Sequence, residues 1–103
     1  MTERTGAPAP HVTLPPALND QRVLRRLGWM ADRLTAHSPN VAMAPRARTS
    51  ICERIADDLY GDAPDADTLE QQLAAALPTV PPGTTRGAYA TALRALIEEA
   101  RPR

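Results

Sequence analysis

Apolar residues recur at helical spacing in four stretches of the chain. In the first, Val23, Leu24, Leu27, Met30, Ala31 and Leu34 follow the i, i+3, i+4, i+7 rule and predict a helix over about 20–37. Asn19 or Asp20 is placed to cap it, because a short side-chain oxygen accepts the free N–H groups of a first turn. Gly28 costs about 1 kcal/mol relative to Ala inside a helix, which marks it as a candidate close helix–helix contact. Ser38, Pro39 and Asn40 end the pattern.

In the second stretch, over about 46–60, the stripe is Ile51, Cys52, Ile55, Ala56 and Leu59. Two starts fit: Pro45 as the first helical residue, or Ser50 as a cap closed by Glu53. Gly61 is a natural stop, since it tolerates the left-handed conformation. The third helix is expected over about 66–77, with Leu69, Leu73, Ala76 and Leu77 on one face. Asp65 or Asp67 would cap it, and Asp67 with Glu70 has capping-box spacing. Pro78, Pro81 and Pro82 close it and stiffen the next loop. The fourth, over about 85–100, places Tyr89, Leu93, Leu96, Ile97 and Ala100 together. No stretch alternates with the two-residue period of a strand, so no sheet is expected.

These patterns imply an all-α fold: a compact array or bundle of about four helices spanning 18–103, behind a Pro-rich tail at 1–17. Pro8, Pro10, Pro15 and Pro16 oppose a regular helix in the tail, although Val12, Leu14 and Leu18 have the character to dock on the domain. At 103 residues the chain suits one domain with one modest core. It has no Phe, one Trp and two Tyr, so Leu, Ile, Val, Met and Ala must fill that core. Twelve Arg without Lys, 19 Ala and 11 Pro are the bias of a GC-rich genome. In composition the chain resembles short helical proteins of GC-rich bacteria, a likeness that carries no motif.

Net charge is zero, so no global field draws the chain to nucleic acid or membrane. A lone cysteine, no long apolar run and no signal-like N-terminus make the cytoplasm the expected location. Charge is nonetheless divided. Residues 1–54 hold eight arginines against four acids, a net of +4, and residues 55–103 hold the reverse. Such a dipole either folds against itself or drives head-to-tail association, although acids also gather at helix N-termini for local reasons.

The first helix carries the pattern with most functional content. At 100° per residue, Arg22, Arg25, Arg26, Trp29 and Arg33 fall within about 100° of arc, opposite the apolar stripe. Trp and Arg are the types most enriched at binding hot spots, so this face suits a protein partner or a second copy. The same face suits phosphates with a stacked base. Two readings need no partner: Arg25 and Arg33 folded over the indole, or Trp29 covering the tail. Arg46 and Arg48 are secondary anion-binding candidates.

Enzyme chemistry finds no support. No P-loop, GxGxxG, GxSxG or HExxH occurs. Asp62, Asp65, Asp67 and Glu70 lack the spacing of a calcium loop, and one Cys with His11 and His37 does not make a zinc site, so neither metal nor cofactor is expected. Cys52 on an apolar stripe reads as buried and inert, and His37 as a favourable end charge. Gly83 and Gly87 flank a helix start that could hold an anion, a signal a turn and a cap explain equally well. A helix-turn-helix formed by helices two and three is disfavoured. Its recognition helix would lack any Arg or Lys, and the intervening loop reads as longer than the usual turn. The expectation is a non-enzymatic interaction module. A small nucleic-acid-binding regulator and a small-molecule-binding helical protein are the alternatives.

Overall fold

The computed structural model describes residues 16–101. The expectations for residues 1–15, including docking of Val12 and Leu14 and any role of His11, lie outside the described residues. A 3₁₀ turn at Pro16–Asn19 leads into four helices: α1 (Gln21–Ala36), α2 (Pro45–Tyr60), α3 (Pro64–Ala76) and α4 (Arg86–Ala100). The fold is all-α, and no strand occurs among the described residues. The nearest approach to one is an isolated bridge between Ala42 and Thr85. No described helix is long and apolar enough to cross a membrane.

The helices pack as two pairs. α1 lies along α4, the last helix, and α2 along α3. The 3₁₀ turn touches α1, α3 and α4 and so ties the pairs together. Its Leu18 is fully buried, and the Ala17 N–H donates to the Gln72 side-chain oxygen at 2.9 Å. Pro16 and Ala17 thus belong to the folded body, two residues before the expected edge of the domain. Every predicted stripe faces one core. Leu27, Ile55, Leu73 and Leu93 are fully buried, while Met30, Leu59, Ala76, Leu96 and Ala100 sit at its margin.

The helix ends show which local signals prevailed. Asp20 caps α1, accepting from the Arg22 N–H at 2.8 Å, and Thr85 caps α4 through Ala88. Of the two starts open for α2, Pro45 is the first residue and Ser50 lies inside the helix, so no capping box forms with Glu53. The expected Asp cap on α3 is not used. Pro64 opens the helix behind Ala63, which moves Asp65 and Asp67 into the first turn. There they complement the positive end of the helix as charges rather than as caps. Gly61 ends α2 at φ 57°, in the region that favours glycine. Only Gly61, Asp62 and Ala63 join α2 to α3. That linker is as short as a helix-turn-helix turn, which removes loop length as a reason against that motif. The acidic first turn of α3 remains.

The loop after α1 is clamped onto the start of α4. Pro39 and Val41 carbonyls accept from Gly87 and Arg86 N–H groups at 2.8 and 2.9 Å, and Met43 N–H donates to the Thr84 carbonyl at 2.8 Å. The Arg86 guanidinium bonds the His37 carbonyl at 2.8 Å, at the C-terminal end of α1.

Candidate interaction face

The arginine side of α1 is built from its first turn onward. Arg22 folds back on the cap residue, with Nη2 2.8 Å from Asp20 Oδ2. The same nitrogen donates to the Tyr60 hydroxyl at 3.1 Å, and the guanidinium lies 5.5 Å from that ring's centroid. The hydrogen bond from Arg22 holds the Asp20 carboxyl below its ordinary range, and in return raises the Arg22 pKa. Arg26 crosses to α2 and pairs with Asp58 at 3.3 Å, a carboxylate also approached by Arg54 at 3.9 Å. Two of the five candidate side chains are therefore engaged within the molecule.

The remaining three stay outward. Arg25 is exposed and makes no ion pair among the described residues. Arg33 lies over the Trp29 ring at 4.9 Å, as one of the two partnerless readings has it; Arg25 makes no such contact among the described residues. Stacking does not bury the indole, since Trp29 remains 44% exposed. One shallow depression is lined by Arg22, Arg25, Arg26 and Trp29. Another, on the α2 side, is lined by Trp29, Met30, Arg33, Ser50, Ile51 and Arg54. The indole is thus the ridge between two hollows. Sequence reasoning missed Ser50, Ile51 and Arg54, because nothing local says that α2 lies beside this face of α1.

The secondary anion candidates separate. Arg46 is exposed and has no ion pair among the described residues. Arg48 turns inward. Its Nε donates to the Pro78 carbonyl at 2.9 Å, and its Nη2 to the carbonyls of Leu77, at 2.8 Å, and Ala74. The Ala74 and Leu77 oxygens lie at the end of α3, whose last carbonyls have no partner within the helix, and Pro78 follows just beyond it. Arg48 therefore acts as a cap of α3, with few donors left for a ligand. The start of α4 is filled in the same way, since Arg86, Gly87 and Ala88 N–H groups are all satisfied internally. This leaves the Gly83–Gly87 segment as a turn and a cap.

Two titratable side chains, Cys52 and Tyr89, are buried in the core. Burial pushes the Cys52 thiol up, away from the reactive thiolate. Burial also pushes the Tyr89 hydroxyl up to about 12, and that hydroxyl donates to the Pro78 carbonyl at 2.7 Å. Among the described residues, no three His, Cys, Asp or Glu side chains gather as metal ligands would. No family model, curated protein or solved structure matches the chain.

Proposed function

We propose that the chain is a non-enzymatic interaction module that binds a protein partner through the Arg/Trp face of α1. The observation that carries this reading is the exposure of Trp29, the only tryptophan, 44% open on the side away from the core. A large aromatic ring left in water costs solvation free energy that a partner recovers on contact. Arg25 and Arg33 flank it with charge, the pairing that recurs at hot spots. A protein surface fits better than nucleic acid, because Arg22 and Arg26 already face Asp20 and Asp58. Phosphates would meet a face whose positive charge is half neutralised.

Photocrosslinking tests the reading. Trp29 is replaced by benzoyl-phenylalanine in cells that produce the chain, with exposed Ala95 on α4 replaced as the control. The expected result is a discrete protein adduct from position 29 and none from position 95. Adducts only to nucleic acid, or equal labelling from both positions, overturn the proposal.

A further inference from the structure

A second charged surface lies next to the Arg/Trp face. Between α2 and α3 runs an open groove of about 500 Å³ lined by Ser50, Glu53, Arg54, Asp57, Asp67 and Glu70. None of these four carboxylates makes an ion pair among the described residues. The acids of this groove and the arginines beside Trp29 are complementary surfaces of one chain whose net charge is zero.

We infer that the partner of the Arg/Trp face is a second copy of this chain, each copy laying that face on the acidic α2–α3 groove of the other. The inference rests on the interaction reading above and names its partner. Two observations select a copy over an unrelated acidic protein. The complementary charge is present on the same molecule in a groove with room for side chains. The two surfaces are also neighbours: Ser50 and Arg54 line both the hollow beside Trp29 and the acidic groove. The basic and acidic halves therefore flank one ridge of α2. A twofold axis through that ridge sets basic against acidic on both sides at once. Such an interface is self-complementary and closes at two copies, whereas surfaces on opposite ends would build an open chain. Zero net charge removes the long-range repulsion that would oppose association.

Sedimentation of the full chain over a range of concentrations tests this. At low salt the expected behaviour is a monomer–dimer equilibrium that stops at twice 11.1 kDa. Added salt should weaken it, because exposed charges are screened beyond about 10 Å at 0.1 M. The variants R25E/R33E and E53R/D57R, each checked for native helical signal, should each weaken the dimer at least about 30-fold, the scale of a hot spot. An equimolar mixture of the two should restore it, since each altered surface then meets its opposite. Trp29→Ala should weaken it comparably and involves no charge change. A chain that stays monomeric at millimolar concentration, an open series of larger species, or a mixture that fails to re-associate overturns the inference. A monomer whose position 29 still crosslinks to a different protein overturns the self-partner alone. A monomer with no protein adduct overturns the interaction reading beneath it.

Discussion

Arg48 of α2 donates its Nε proton to the Pro78 carbonyl at 2.9 Å, just beyond the end of α3. The same carbonyl accepts from the Tyr89 hydroxyl of α4 at 2.7 Å, so one oxygen joins three helices. With further bonds to Leu77 and Ala74, the guanidinium satisfies carbonyls that the α3 ladder leaves open. Charged hydrogen bonds contribute about 1.5–3 kcal/mol each, less when partly solvated and shared. Arg48→Met should therefore lower stability by about 2–3 kcal/mol, read as a shift in urea midpoint with unchanged slope. Arg48→Lys should recover only part, because one ammonium cannot span three carbonyls. A midpoint unchanged in Arg48→Met would show that water replaces the guanidinium without loss.

Tyr89 links the same site to pH. Its folded pKa, about 12, lies above the value of about 10 for an unfolded tyrosine. The folded state thus holds this proton more tightly, and its contribution is fully present below pH 10. It is lost as the pH rises from about 10 toward 12. Tyr89→Phe should cost about 1 kcal/mol at neutral pH, through the lost bond to Pro78, and should flatten this alkaline decline. Urea midpoints of parent and variant that fall in parallel above pH 10 would refute the assignment.

Trp29 and Leu27 are two residues apart on α1 and should respond in opposite ways. Leu27 is fully buried, so Leu27→Ala should cost about 2–5 kcal/mol. Trp29→Ala should cost less than about 1 kcal/mol, the scale of a solvated cation–π pair with Arg33. Tryptophan fluorescence, excited selectively and all of it from position 29, should be readily quenched by acrylamide in the unassociated chain. Shielded emission at high dilution would contradict the exposed indole.

Glycine-to-alanine substitutions should differ in sign between α1 and α4. A Cβ at Gly28 meets only Ile97 Cδ1 at 3.9 Å, an ordinary contact rather than the close approach expected there. Gly28→Ala should stabilise by about 0.5–1 kcal/mol through the helix preference alone. A Cβ at Gly87 would lie 3.2 Å from the Pro39 carbonyl oxygen, the acceptor of the Gly87 N–H. Gly87→Ala must push that loop away and should destabilise. Thermal unfolding of the pair checks this, and a rise in Tm for both would show the clamp to be pliable.

Much of the architecture was legible because helices are local. Stripes such as Val23, Leu24, Leu27 and Leu34 follow from the period of the helix, and Asp20 and Thr85 act within three residues of themselves. The misplaced cap of α3 has the same local origin, since a Pro at the first position competed with the Asp signal and prevailed. Of the candidate face, the shared side of Arg22, Arg25, Arg26, Trp29 and Arg33 was legible for this reason as well.

Local periodicity sufficed for four helices, their buried faces and a tryptophan phased away from the core. Each rests on interactions between residues a turn or two apart. Which arginines are spoken for and which remain open depends instead on contacts between residues far apart in the chain. Arg26 meets Asp58 across 32 residues and Arg48 meets Pro78 across 30. A guanidinium on a long flexible stem takes whichever acceptor the packing of helices brings within reach. That packing paired α1 with α4 and α2 with α3, left the Trp29 indole uncovered by the other described residues and set an acidic groove beside it.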